Sequence, residues 1–189
     1  MKGAGASAHR WLWQAALLFA LCLLSPAVAA EAEVSKEYQV KAAFLYNFTK
    51  FVEWPAEKFP ATNAPIVIGV LGRNPFGTAL AETVKDRKVN GRAIQIRVVS
   101  VAAEINGLHV LFVATAEEHR LGEIAAALRA GGVLGVGESA AFLARGGTIR
   151  FVPEGDKLRF DIDMNAAELA QLKVSAQLQK LARTVKKKA

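Results

Sequence analysis

The chain has 189 residues, 52% apolar and 22% charged, with a formal net charge of +7. Its single cysteine, Cys22, lies in an apolar stretch near the start, so an internal disulfide and a multi-thiolate metal site are excluded. Much of the net positive excess falls in the tail, on Lys180, Arg183, Lys186, Lys187 and Lys188. Those cations read as a solvated helix end favouring the negative pole of the dipole, not as a nucleic-acid contact.

Residues 1–30 have the form of a cleavable secretion signal. Lys2, His9 and Arg10 precede an apolar run from Leu12 to Leu24, and Pro26 to Ala30 supplies small residues for cleavage after Ala30. The run is too short for a spanning helix, which needs about 20 residues. Of 24 basic and 17 acidic residues only Lys2 and Arg10 would be lost, leaving +5 and no thiol in the exported chain. Residues 31–189 are long enough for one domain with a real core.

The first helix is expected over Tyr38 to Pro55. Phe44, Leu45, Phe48, Phe51 and Val52 form one apolar stripe, Val40, Ala43 and Trp54 widen it, and Pro55 stops it. A loop with Pro55, Pro60 and Pro65 leads to Ile66–Leu71, a continuous apolar run that predicts a strand covered on both faces. Asn74 is placed as N-cap of a helix beginning at Pro75 and running to about Lys85. Asn90-Gly91 marks a tight turn. Ile94–Val99 alternates and predicts a strand nearer a sheet edge, and Val110–Val113 predicts another buried strand.

Thr115 with Glu118 has the spacing of a capping box for a helix ending at Gly131-Gly132. Val133–Val136 reads as a strand, and Ser139 as the cap of a short helix. Thr148–Val152 and Lys157–Met164 read as a hairpin joined through Pro153-Glu154-Gly155-Asp156. Asn165 with Glu168 gives a second capping box. The remainder reads as a helix, broken once near Lys173–Ser175, with Val174, Leu178, Leu181 and Val185 as its stripe. The fold class that follows is α/β: a single-domain, Rossmann-like, three-layer and mostly parallel open sheet, closed by a C-terminal antiparallel hairpin and a terminal helix.

Catalytic chemistry finds little support. Asp161 and Asp163 share one strand face, which reads as a solvent face with Arg159 to neutralise it. Excluding His9 in the leader, His109 and His119 supply too few ligands for zinc, and Gly137–Ala141 breaks the nucleophile-elbow pattern at its last position. No metal or cofactor is expected, and no enzyme. The turn Gly69–Gly77 lacks both the GxGxxG spacing and a Walker lysine. It does follow a strand and open a helix, so Arg73 and Asn74 are the candidate ligand-binding residues. Tyr46, Asn47, Lys50, Trp54 and Phe59, on and just after the first helix, are the candidate partner-binding residues.

The run AAFLYNFTKFVEWP (Ala42 to Pro55) resembles the opening signature of the YfiR family. Gly135–Ser139, Gly146–Phe151, Leu158–Ala166 and Leu172–Ala182 agree with later family segments in the same order, so the resemblance spans the exported chain. It implies a periplasmic, non-catalytic regulator that represses an inner-membrane diguanylate cyclase by binding its periplasmic sensor region, lowering cyclic di-GMP and restraining biofilm growth. A sensor kinase is the alternative membrane partner, and an outer-membrane lipoprotein would sequester the regulator. A homodimer is left open. Some relatives carry disulfide cysteines and this exported chain has none, which excludes thiol redox control. The competing expectation is a periplasmic small-ligand-binding module serving a sensor kinase or a transport system.

Overall fold

Ile66–Leu71 (β2) is buried along its whole length, the consequence of an unbroken apolar run between two layers. The computed structural model describes residues 35–187, so residues 1–30 read as a leader lie outside the described residues. On one side β2 pairs in parallel with β4 (Arg92–Val99), and on the other with β5 (Val110–Phe112). Then follow β6 (Leu134–Gly137) and β7 (Ile149–Glu154), both parallel, and β8 (Lys157–Asp163), antiparallel to β7. β10 (Thr184–Lys186) lies parallel to β8 at one edge, and β3 (Lys88–Val89) pairs antiparallel with β4 at the other. The eight-stranded order is thus β10-β8-β7-β6-β5-β2-β4-β3. This is the mostly parallel α/β sheet with its hairpin that the alternation of elements predicts.

Two cores follow from the period of two along the strands. On one face Ile68, Val70, Val110, Phe112, Leu134, Val136, Ile149 and Phe151 meet Ala42, Leu45 and Phe48 of α1 (Lys36–Phe51) and Leu80 and Val84 of α2 (Ala79–Val84). On the other, Val67, Leu71, Leu111 and Val113 meet Leu121, Ile124 and Leu128 of α3 (Leu121–Ala130) and Phe142 of α4 (Ala140–Ala144). Phe44 and Phe48 sit against Phe151 and Phe160 with ring centroids 5.2–5.9 Å apart. Such pairs add about 0.5–1.5 kcal/mol each beyond their burial. Phe142 fits because the backbone beneath it carries glycines, Gly135 and Gly137 on β6 and Gly147 in the loop before β7. A Cβ on Gly137 would stand 2.4 Å from its ring, and one on Gly147 2.0 Å.

Several local expectations are corrected. α1 stops at Phe51, four residues before Pro55, because Val52–Glu53 (β1) leaves to pair antiparallel with Lys173–Val174 (β9). The segment after Pro75 turns before becoming helical at Ala79, with Asn74 Oδ1 accepting from the Phe76 N–H at 2.9 Å and Asn74 Nδ2 donating to Gly77 O at 3.1 Å. Thr115 does not cap α3: Thr115–Arg120 is a 3₁₀ segment, and the Thr115 hydroxyl donates to Glu138. Ser139 does cap α4, accepting from the Phe142 N–H at 3.1 Å.

The cap of α5 (Met164–Leu169) is Asp163, whose Oδ1 accepts from the Asn165 and Ala166 amides, in place of the Asn165–Glu168 box. The terminal segment is a short helix, α6 (Ala176–Leu181), followed by β10, so Val185 lies on a strand, and Leu181 at the end of the helix is exposed rather than part of a buried stripe.

Asp161 and Asp163 are buried rather than solvated, because β10 lies alongside β8 and brings cations to them. Arg150 Nε and Arg183 Nη2 each reach Asp161 Oδ2 at 2.8 Å, and Lys186 Nζ lies 3.2 Å from Asp163. Arg159 pairs instead with Glu154. Two cations of the tail therefore hold its last strand in place.

Candidate functional site

Helix α1 carries polar chemistry at both of its ends. Near its start Lys41 is only 4% exposed and makes ion pairs with Glu37 and Glu138. Glu138 follows β6, and its Oε2 accepts from the Thr115 amide at 2.7 Å and hydroxyl at 3.0 Å. Lys41 Nζ also lies 4.4 Å from the centre of the Tyr38 ring, which packs edge-on against Phe76 and Phe112. Burial, followed by the charge of Glu138, pushes the Tyr38 hydroxyl up to about 12, so it stays protonated at neutral pH. Next to it Ser139 Oγ donates to Glu118 Oε2 at 2.5 Å, while Glu118 Oε1 is buried with no partner among the described residues. These groups gather at the carboxyl ends of β5 and β6, where open α/β sheets take their ligands.

Beyond the other end of α1, Trp54 and Phe59 enclose His109. Trp54 Nε1 donates to His109 O at 3.0 Å, and Phe59 stacks on the imidazole at 4.6 Å. The Val67 N–H donates to His109 Nδ1 at 3.1 Å, which places the proton of the neutral ring on Nε2. That Nε2 is buried without a partner among the described residues. Burial, with the Lys58 and Arg92 charges, lowers the imidazole to about 4. Lys58 donates to Gly131 O at 2.6 Å, and Arg92 lies 3.9 Å from the centre of the Phe59 ring.

Of the residues proposed for a partner, Tyr46 and Lys50 meet with Arg87 at one ring: the Tyr46 ring has Lys50 Nζ at 5.4 Å and the Arg87 guanidinium at 4.8 Å. Asn47, next to Tyr46, is half-buried. Trp54 and Phe59 form the separate group around His109. Of the two residues proposed for a ligand, Arg73 is exposed and its amide donates to Glu117 Oε1 at 3.4 Å. The Glu117 carboxyl occupies the space over Gly72, where an added Cβ would meet it at 2.2 Å. Asn74 spends its side chain on its own turn.

Sequence reasoning missed Lys41, Glu138 and Thr115 as a cluster. The signal available was a lysine on the apolar side of a helix and a glutamate ending a buried strand, both of which need a partner. Among the described residues no group of three or more His, Cys, Asp or Glu side chains is arranged to hold a metal ion, and no helix is long and apolar enough to cross a membrane.

The two helical layers around a mostly parallel sheet define a doubly wound α/β domain, with buried charge at the strand ends and a cationic, aromatic flank on α1. The chain belongs to the YfiR/HmsC-like family (DUF4154), whose profile matches residues 38–183. That family is regulatory and generally periplasmic, linked to diguanylate cyclase signalling through contacts with membrane signalling proteins. No curated protein matches the chain by sequence.

Among solved structures, the fold is similar to a conserved domain protein from Vibrio cholerae O1 biovar eltor. That match has 9% identity and a TM-score of 0.53, covering 79% of this chain and 60% of that one. A weaker likeness, at 13% identity and a TM-score of 0.46, is to an ABC domain in complex with L-Trp from Streptococcus pneumonia, covering 64% of this chain and 55% of that one.

Proposed function

We propose that this protein represses an inner-membrane diguanylate cyclase by binding its periplasmic sensor region, so that cyclic di-GMP stays low until the regulator is released or sequestered by an outer-membrane lipoprotein. The observation that supports this most is family membership across residues 38–183. In this reading residues 1–30 are the cleaved export signal and residues 31–189 the regulatory domain. Tyr46, Asn47 and Lys50 supply the contact face on α1, and Trp54 and Phe59 shape the adjoining turn.

Co-purification of the regulator with a membrane cyclase, and cyclic di-GMP measured in a deletion strain, test the reading. A rise in cyclic di-GMP on deletion, reversed by the native chain but not by a Tyr46→Ala, Lys50→Glu double variant, is the result expected. Unchanged cyclic di-GMP and surface attachment in the deletion strain would sink it.

One observation favours a second reading, a small-ligand module serving a sensor kinase or transport system. Glu118 Oε1 is a buried acceptor without a partner among the described residues, on a carboxylate whose other oxygen accepts from Ser139 just after β6. An unsatisfied carboxylate oxygen calls for a donor, so a ligand there carries an ammonium or amide group. A thermal-shift screen of amines, amino acids and nucleotides tests it, with Glu118→Gln and Arg73→Ala as site variants.

A further inference from the structure

The outer edge of β4 lacks a neighbour over most of its length. β3 pairs with β4 only at Arg92 and Ala93, and among the described residues no strand continues that pairing towards Val99. The direction of the backbone along β4 follows from one bond: Val99 C=O accepts from the N–H of Gly72, the residue just after β2, at 2.8 Å. Backbone groups alternate sides along a strand, so Gln95 and Arg97 also turn towards β2, while Ile96 and Val98 turn their N–H and C=O outward. No proline or positive-φ residue interrupts this stretch. Val98 and the following Val101 are each 51% exposed.

Side chains divide by the same alternation. Ile94 and Ile96 pack against the α1-side core, and Val98 continues their row, whereas Gln95 and Arg97 point to the other face and are exposed. The rim is cationic: Lys85, Arg87, Lys88 and Arg97 are all exposed. Arg87 lies over Tyr46, which joins this rim to the α1 face. Acidic residues near this rim include Glu82, Asp86 and Glu104; Glu104 accepts from the Ser100 and Val101 amides and also feels the Arg97 charge. Two copies of such an edge repel each other. An extended segment alternating apolar with acidic residues fits it, with apolar side chains beside Ile96 and Val98 and carboxylates beside Arg97 and the β3 lysine.

We infer that the outer edge of β4, from Gln95 to Val98, is a docking edge on which an acidic, extended segment of a partner protein adds as a further strand. This deepens the regulatory reading above and rests on it for the partner's place in the cell. It extends the Tyr46–Lys50 contact face across Arg87 to the sheet.

The test uses the exported protein with two seven-residue probe peptides, one alternating Glu with Val and the other Lys with Val, at up to millimolar concentration. Amide hydrogen exchange should slow at Ile96 and Val98 with the Glu/Val peptide, while Gln95 and Arg97, already bonded to β2, stay unchanged. Arg97→Glu should weaken that peptide about tenfold and admit the Lys/Val peptide, with Lys88→Glu acting in the same direction. No protection at Ile96 and Val98, equal binding of both peptides, or binding indifferent to both charge reversals overturns the inference. Peptide-independent protection that grows with protein concentration also overturns it, in favour of a second copy. A cyclase complex that forms while Ile96 and Val98 remain unprotected removes the docking edge and keeps the regulatory reading. Failure to form any such complex, with the peptide result intact, does the reverse.

Discussion

Lys41 and Glu138, 97 residues apart in sequence, form a largely buried ion pair that ties the start of α1 to the end of β6. A charge taken out of water at this depth is tolerable only with a counter-charge and further hydrogen bonds. Glu37, Tyr38 and Thr115 supply them. The pair therefore fixes where the helix lies across the sheet, and with it the position of the Tyr46–Lys50 face two turns further on.

Removing the cation alone should be severe. Lys41→Met leaves the largely buried Glu138 with only the neutral Thr115 and Tyr38 donors and should cost about 3 kcal/mol in urea unfolding. Adding Glu138→Gln should recover part of that loss, because no uncompensated charge then remains. Additive losses in the double variant would show that the two side chains are not energetically coupled.

His109 sets a pH dependence of known sign. The unfolded imidazole titrates near 6.5 and the folded one at about 4, so the unfolded state binds more protons between these values. Stability is full above pH 6.5 and falls as the pH drops towards 4, by at most about 3 kcal/mol. Denaturant unfolding at pH 7, 5.5 and 4.5 reads this directly. His109→Gln should flatten the profile in that window, and an unchanged slope would assign it to other groups.

Asp161 acts at lower pH. Burial raises its carboxyl, but hydrogen bonds from Arg183 and Arg150 outweigh this and hold it below the ordinary carboxylate value. Its contribution is present above the unfolded value and lost as pH falls through the folded one. Asp161→Asn should cost about 3 kcal/mol. It should also release β10, seen as faster amide exchange at Thr184–Lys186 and as new tryptic cleavage after Arg183. Retained protection of β10 in that variant would mean that backbone pairing alone holds the strand.

Gly147→Ala should destabilise by about 1–3 kcal/mol, because the new Cβ would lie 2.0 Å from Phe142 Cε1 in a filled core. Gly137→Ala meets the same ring at 2.4 Å and should behave alike. A companion Phe142→Leu change should relieve part of the strain. A wild-type melting temperature in Gly147→Ala would show that the ring has room to move.

The sequence by itself determined the order and type of most elements. Ile66–Leu71 and Val110–Phe112 are apolar without interruption because layers cover both their faces, and Arg92–Val99 alternates because it lies beside the last short strand of the sheet. Hydrophobic period is local, so the chain shows it without its fold. The family signature is likewise a property of neighbouring residues, and Ala42–Pro55 carries it.

Tertiary structure alone decided where the polar groups end. Nothing near Lys41 announces Glu138, nothing near Trp54 announces His109, and Asp161 reads as a solvent-facing strand residue until Arg183 returns beside it from the tail. These partners are distant in sequence, and the need that joins them is for a buried charge or donor to be matched, which acts only once the chain has closed around it.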